Sequence, residues 1–439
     1  MANLLESYKN KLAVAEGYYA KNNNGEKLSM QKKLVVAKLL DNTSKYLSEA
    51  FNNSVGTQRS DMGSFKRFAL NLTTVAIPSL IAFDLVMVQP MSSMSGYVNY
   101  LEYVAGTNKG QTAQGDVFNS PFALGNVDAD YTAARVVENV TLAADGTATL
   151  AWAPVYNGEA ADAKAAIVGN ATAKIEFIDA AKGEIKVTNA EGTALTGEVK
   201  IKYVYDNTVV PQNDLPILNA KMSTIPLIAK ARRIAIYYSQ MAAFQAKNDY
   251  GFDLGDQLAE QAVGRLSYEI DTEVVQTLID AAPVDGELVW SKTLPVGVSK
   301  QEHYAGFVEI LEMAAAKIYN RTKKFMPNYL LIASDIKPIL AFVPGFEAAT
   351  IKDMNGPYMA GTLNGLKVYV SPNMESKTFV LGVNGNDMYT SAAVYAPYMP
   401  IVPTQLLGFA DGAMSQGFST MYDIKVLNSA LLVAGTIVA

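Results

Sequence analysis

The chain has 439 residues, with 36 Lys and Arg against 42 Asp and Glu for a net charge of −6; 50% of it is hydrophobic and only 18% is charged. Its zero cysteines and single histidine, His303, exclude disulfide frameworks, thiolate metal sites and cysteine nucleophiles, and make most metal centres and histidine proton relays hard to build. The charged fraction lies under the roughly 25% of an average soluble domain, so partners are expected to cover much of this surface, over the two to four domains that about 100–200 residues per domain would allow.

Residues 1 to about 50 hold eight Lys against five Asp and Glu, interrupted by the polar stretch KNNNGEK. Glu6, Lys9 and Lys11 fall where a signal peptide needs an unbroken apolar core, so the expectation is a protein made in a cytoplasm. Leu34, Val35, Leu39, Leu40, Tyr46, Leu47 and Phe51 recur at helical spacing and predict an amphipathic helix. A loop is expected through NNSVGTQRSDMGS. Phe65 to Gln89 then reads as a helix, a break at Pro78 and an extended run, IAFDLVMVQP. The run from Val75 to Val88 contains Pro78 and Asp84 and is shorter than the roughly 20 residues that span a bilayer.

Tyr97 to Tyr103 reads as a strand, and AGTNKGQTAQGD as a long exposed loop tip. Between about 129 and 210, β-rich runs (ARVVENV, TATLAW, KIEFID, EIKVT, EVKIKYVY) alternate with turn clusters, the pattern of a small antiparallel sandwich or barrel. Past Pro226, Leu258, Ala262, Leu266, Ile270, Val274 and Leu278 form an i, i+4 row, one apolar side of a long helix. Its other side carries Glu260, Arg265, Glu269, Asp271 and Glu273. A second helix, from about Lys300 to Asn320, ends in Lys317, Arg321, Lys323 and Lys324, favourable near a helix C-terminus. The rest alternates strands with one short helix: NYLLIAS, DIKPILAFV, LKVYVSP, KTFVLGVN, VYAPYMPIVP, FSTMYDIKVLN and the apolar C-terminal run SALLVAGTIVA.

A search for chemistry finds little. No dinucleotide fingerprint, Walker loop, zincin or nucleophile-elbow motif is present. GTNKG (Gly106 to Gly110) does not open a helix and reads as a loop tip rather than a phosphate cradle. His303 has no visible nucleophile partner and reads as a helix-start or surface residue. Asp271 and Glu273 sit two apart on a helix and read as a solvated face. No catalytic, cofactor or metal residue is assigned, and the basic cluster reads as a contact for acidic partners in an acidic chain. The class that remains is a structural assembly protein.

Four collinear stretches resemble the T-even-type phage major capsid proteins: AIPSLIAFDLVMVQPM (Ala76 to Met91), YGFDLGDQLAEQAVGRLSYEIDTEVVQTL (Tyr250 to Leu278), YLLIASDIKPIL, and FVLGVNGNDMYTSAAVYAPYMPIVP. The resemblance implies an α+β chain with the Hong Kong 97 capsid fold: a peripheral domain with a long spine helix, an axial domain, an E-loop, an N-arm and an inserted small β domain. On this mapping, 1–64 is an N-terminal arm or propeptide, 65–96 the start of the peripheral domain, 97–128 the outgoing E-loop, 129–210 the inserted β domain and 211–226 the E-loop return. Residues 227–326 continue the peripheral domain with the spine helix at about 257–280, 327–408 form the axial domain, and 409–439 the C-terminal strands.

The implied function is a major capsid protein, a shell of hexameric and pentameric capsomers in the virion. It would enclose double-stranded DNA without sequence-specific binding, with portal, scaffold and decoration proteins as partners and no membrane. An acidic wall suits that role, since tight binding to DNA would oppose packaging. The alternative is an encapsulin-type compartment, and a third class is an enzyme whose site the sequence hides. Candidate subunit contacts are Lys109, Glu269, Asp271, Arg321, Lys323 and Lys324. The family's propeptide tripeptide, aliphatic then any residue then Glu, fits Leu47-Ser48-Glu49 before Ala50. It also fits Leu4-Leu5-Glu6, Leu258-Ala259-Glu260 and Ile310-Leu311-Glu312, so only the expected position of 47–50 beside a loop distinguishes it.

Overall fold

The computed structural model of the chain describes residues 2–23, 25–52, 59–118, 131–156, 165–170, 172–208, 215–322, 324–349, 356–375, 377–385 and 387–438. They divide into two compact units, Met1–Val98 with Thr224–Ala439, and Asn99–Ser223. In chain order the first unit opens with helices α1 (Ala2–Ser7), α2 (Lys9–Asn22), α3 (Met30–Asn52), α4 (Arg59–Ser79) and α5 (Ala82–Leu85), then strand β1 (Met87–Val88). Strand β2 (Ser95–Ala105) leads into the second unit, which holds β3 (Arg135–Leu142), β4 (Thr147–Thr149), β5 (Ala166–Ile167), β6 (Lys174–Asp179), β7 (Glu184–Thr188) and β8 (Gly197–Val204). Strand β9 (Leu218–Ile228), the hydrogen-bonded neighbour of β2, leads back.

The first unit continues with β10 (Lys230–Ser239), α6 (Gln240–Gln245), a π turn, α7 (Leu254–Ala281), β11 (Val284–Ser291), α8 (Lys300–Thr322), β12 (Tyr329–Ala333) and α9 (Lys337–Leu340). It ends with β13 (Phe346–Ala348), β14 (Tyr358–Leu363), β15 (Leu366–Ser371), β16 (Thr378–Gly382), β17 (Ala393–Pro403), β18 (Leu407–Gly408), β19 (Ala413–Val426) and β20 (Leu432–Val438).

Local chemistry explains the helix ends. Asp253 caps α7, its carboxylate accepting the N–H groups of Gly255 and Asp256. Ser299 and Glu302 form a reciprocal capping box at the start of α8, Ser299 N–H to Glu302 Oε2 at 3.2 Å and Glu302 N–H to Ser299 Oγ at 3.3 Å. Helix α4 starts at Arg59, so 59–64 are helical where a loop was expected, and it ends one residue after Pro78, whose missing N–H stops the ladder. The run that follows is not extended throughout: Ala82–Leu85 make one helical turn before β1.

Two sheets organise the first unit. One has seven strands in the order β11-β20-β16-β12-β15-β14-β13, and the other runs β1-β17-β19-β10 with β18 also on β19. Most of the apolar side chains of the seven-stranded sheet, α8 and the end of α7 join one core, which also takes in Leu12, Tyr19, Val36, Leu39 and Leu40 from α2 and α3. Helix α7 packs against Ile236 and Phe418 through Ala259, Ala262 and Leu266. Helices α3 and α4 meet Met399 and Val402 through Leu47 and Ala69. Val402 pairs with Ser419, one residue on from Phe418, so these contacts lie on opposite faces of the sheet.

The sheets do not respect the expected boundary at 408/409. Strand β17 pairs with β19, and β20 returns to lie between β11 and β16. In the second unit, β3-β8-β5 and β4-β7-β6 form two antiparallel sheets whose inward residues make a separate core, with Ile185, Val187 and Ile201 wholly buried. The short β5 was not apparent from the sequence. The Gly-rich tip exposes Asn108, Gln111 and Ala113 to Gly115 but folds back on β2, with Gly115 N–H donating to Ala105 O and Phe118 N–H to Tyr103 O.

Candidate functional site

Helix α7 carries the two acidic residues singled out as contacts, and the structure separates them. Glu269 is exposed and accepts from Arg265 Nε at 2.8 Å one turn earlier on the same helix, an interaction worth a few tenths of a kcal/mol. Asp271 is only 4% exposed, which corrects its placement on a solvated face. Helix α5 has no side-chain cap of its own, and Asp271 supplies an acceptor from α7, with Ala82 N–H donating to Oδ1 at 3.2 Å. Burial pushes the Asp271 carboxyl up to about 8, against the opposing pull of the Ala82 and Ile81 N–H groups and with the Asp84 charge adding to the rise.

Glu273, also read as solvated, joins a network that the sequence did not reveal. Arg232 Nη2 on β10 donates to both its oxygens, at 2.8 and 3.1 Å, Tyr422 OH on β19 donates to Oε2 at 2.5 Å, and the guanidinium lies 5.4 Å from the Tyr422 ring centre. Burial and the Glu273 carboxylate hold the Tyr422 hydroxyl protonated, with its pKa well above the ordinary tyrosine value. Helix α7 is thereby tied to the sheet strands β10 and β19.

The basic cluster is largely used inside the subunit. Lys317 bridges Asp285 at 2.8 Å and Glu287 at 2.5 Å on β11, and its hydrogen bond holds the Asp285 carboxyl below the usual range. Arg321, half-buried, donates from Nη1 to Leu432 O at 3.2 Å. Lys324 is exposed, over the Phe325 ring, and Lys323 lies outside the described residues. Lys109 is likewise turned inward: it is 3% exposed, its Nζ donates to the carbonyls of Tyr131 and Ala133, and it faces the rings of Tyr205 and Trp152. The exposed-tip expectation fails there because the tip's own polar groups close on one another, Lys109 and Thr112 exchanging backbone hydrogen bonds.

Glu49 is exposed and Ala50 follows it inside α3, which continues to Asn52. The other tripeptides also lie in helices, α1, α7 and α8, so position no longer distinguishes 47–49. Leu47 is buried against Ala69, Met399 and Val402. His303 sits at the start of α8, stacked on Trp290 with centroids 5.3 Å apart and Nε2 at 2.8 Å from Ser291 O.

A cavity of about 580 Å³ is lined by Val75 and Ala76 of α4, by Ala259 and Val263 of α7, and by Asp84 and Asp271. Asp84 is already paired with Lys32 at 2.6 Å. Among the described residues no group of three or more His, Asp or Glu is placed to hold a metal ion, and no helix is long and apolar enough to cross a membrane.

A family profile described as Major capsid protein Gp23 matches residues 62–436. The chain belongs to that family. Membership in this capsid family carries with it the α+β Hong Kong 97 fold, and makes the chain a major capsid protein of the tailed-phage virion. The capsid protein is 23% identical over 389 residues to the major capsid protein of Vibrio phage KVP40, covering 80% of this chain and 74% of the relative. It is 23% identical over 388 residues to that of Enterobacteria phage T4, covering 80% and 73%. A solved chain from Mycobacterium phage Bobi superposes with a TM-score of 0.41 at 9% identity, covering 82% of this chain and 90% of that one. The first 61 residues of the capsid protein, which hold α1 to α3, lie outside the family profile.

Proposed function

We propose that copies of this chain form the hexameric and pentameric capsomers of a closed shell around double-stranded DNA. The family match over residues 62–436 carries this reading. On it, α7 is the spine helix, the β2–β9 ribbon is the E-loop and the six-stranded unit is the insertion, while the axial body is the seven-stranded sheet with α8, which takes β11 and α8 from the 227–326 segment expected to be peripheral. Support for the ribbon as a contact comes from Tyr97, Leu218, Met222 and Ile228, all exposed large apolar side chains. A portal and a scaffold complete the assembly, and the net charge of −6 keeps packaged DNA from adhering to the wall. Sedimentation and electron microscopy of the expressed chain test this: closed shells or rings of six and five are expected. A strictly monomeric chain would overturn it, and particles isolated with an enzyme cargo instead of DNA would indicate a compartment.

On the same reading, α1 to α3 remain part of the subunit instead of being removed after Glu49. Support comes from Leu12, Ala15, Tyr19, Val36, Leu39 and Leu40, which sit in the main core at 6% exposure or less, and from the helical state of residues 47–50, which a protease must unwind. Intact-mass measurement on DNA-filled particles is the test. A full-length chain of 47.3 kDa is expected, and one starting at Ala50 would exclude retention.

A further inference from the structure

The cavity of about 580 Å³ lies wholly within the first unit and takes its walls from several of that unit's elements. Leu72 and Val75 come from α4, Ile81 immediately precedes α5, Val263 belongs to α7 and Met359 to β14. Its size falls in the roughly 300–1,000 Å³ of small-molecule sites. Water is a poor filler between apolar walls, and empty space of this extent forfeits the contacts that its lining atoms would otherwise make. An aliphatic body restores them.

The lining is not apolar throughout. It includes two carboxyl groups withdrawn from bulk water, the Asp84 side chain at 6% exposure and Asp271 at 4%, near enough for the Asp84 charge to act on Asp271. Tyr19 OH and Lys32 Nζ both donate to Asp84 Oδ1, so Asp84 Oδ2 receives no donor among the described residues. The N–H groups of Ala82 and Ile81 act on Asp271. They are two donors for the roughly four acceptor sites of a carboxylate, and a protonated carboxyl still keeps acceptor capacity. Unused acceptors on buried carboxyl groups call for a hydrogen-bond donor.

Charge decides which donor. Lys32 balances Asp84, and the other charged side chains at the surface of the lining are the exposed Asp256 and Glu260 against the exposed Lys21. That balance favours a cation and opposes an anionic head such as a fatty carboxylate. An ammonium brings three donors and no acceptor, whereas an alcohol brings one donor and no charge. We infer that this cavity is a binding site for an amphipathic organic amine, its aliphatic body against α4 and α7 and its ammonium received by Asp84 Oδ2 and the Asp271 carboxyl.

The inference goes beyond the shell reading and does not rest on it, so the free full-length subunit serves for the test. Isothermal titration at neutral pH compares decylamine, decanol and decanoate, each below its micelle concentration. Decylamine is expected to bind one per chain, at least about tenfold more tightly than decanol, with decanoate not binding. Val263→Phe fills part of the cavity from α7 and Val75→Phe from α4. Whichever of the two keeps the wild-type circular dichroism should lose decylamine binding. Asp271→Asn replaces one acceptor oxygen by a donor that an ammonium cannot use, and should weaken decylamine about tenfold while leaving decanol unchanged. Decylamine bound as tightly by a folded cavity-filled variant as by the wild type would place it elsewhere on the surface and overturn the site. Absence of binding to the wild type, or equal affinities for decylamine and decanol, would overturn it as well.

Discussion

The hydroxyl of Tyr19 on α2 donates to Asp84 Oδ1 on α5 at 2.6 Å, joining residues 65 apart in sequence. Lys32 Nζ on α3 reaches the same oxygen at 2.6 Å and the Tyr19 hydroxyl at 2.8 Å. Asn384 Nδ2 donates to the Asp84 carbonyl at 2.6 Å, anchoring the backbone beneath. Burial and the Asp84 charge raise the Tyr19 pKa, so the hydroxyl stays a donor at any working pH. The N-terminal helices are thus fastened to the part of the chain that the family profile covers by a charge-assisted knot as well as by apolar packing.

Breaking that knot should be measurable without any shell. Asp84→Asn removes the charge that Lys32 and Tyr19 share and is expected to destabilise the free full-length subunit by about 1–3 kcal/mol, with Tyr19→Phe near the lower end. Urea unfolding followed by circular dichroism gives the value. Midpoints unchanged in both variants would mean that α2 and α3 are not coupled to the body.

Asp271 makes stability depend on pH with a definite sign. Its folded pKa of about 8 exceeds the roughly 3.9 of an unfolded Asp, so the native state holds a proton that the unfolded chain has released. Its contribution is fully present below about pH 4 and is lost as pH rises toward 8, after which the dependence levels off. At about 1.4 kcal/mol per pKa unit the difference is on the order of 5 kcal/mol at most. Asp271→Asn keeps an oxygen for Ala82 N–H and cannot ionise, so its stability should be flatter between pH 5 and 8 and should exceed the wild type at pH 8. Denaturant melts of both proteins at pH 5, 6.5 and 8 provide the check. Parallel curves would mean that Asp271 is charged in the native state.

The second unit should fold alone. Its two sheets enclose their own core, and inside it Tyr203 OH donates to Glu138 Oε1 at 2.9 Å while Ala151 N–H donates to the same oxygen at 3.1 Å. Residues 127 to 212 expressed separately are expected to give a dispersed amide spectrum by NMR. Glu138→Ala in that fragment removes the acceptor of the Ala151 N–H and of the Tyr203 hydroxyl proton, leaving that hydroxyl only the Trp152 N–H it accepts, and should cost about 1–3 kcal/mol. A collapsed, random-coil spectrum from the unsubstituted fragment would show that its order depends on the rest of the chain.

Much of this architecture is written in local periodicity. The i, i+4 row from Ala262 to Leu278 lies on the buried side of α7, and the alternating runs at 135–142 and 197–204 are the paired strands β3 and β8. The failures share one cause, which is tertiary demand that no local pattern encodes. Asp271 reads as surface because acids usually are; only the uncapped N–H groups of α5, some 190 residues away, account for it. Lys109 reads as a loop tip because Gly and Asn surround it, while its real partners are carbonyls 22 and 24 residues on. The exposure of Phe244 is invisible for the opposite reason, since exposed and buried phenylalanines look alike in a sequence.

Gly435 tests how tightly the seven-stranded sheet is built. It lies in β20 paired with Phe379 of β16, and a Cβ there would overlap the Phe379 ring and come within 2.9 Å of Leu288 O. Neither neighbour can yield easily, because Phe379 is wholly buried and packs edge-on against Phe307 at 5.5 Å, while Leu288 O belongs to the backbone of β11. Gly435→Ala is therefore expected to destabilise the subunit by about 1–3 kcal/mol through overpacking. Gly286 in β11 makes the comparison: a Cβ there meets nothing within 4 Å, so Gly286→Ala should stay within about 0.5 kcal/mol of the wild type. Thermal unfolding of the two variants side by side decides it. Equal melting temperatures would mean that β20 can move away from β16 without cost, and the close approach at Gly435 would then not be what holds the C-terminal strand in register.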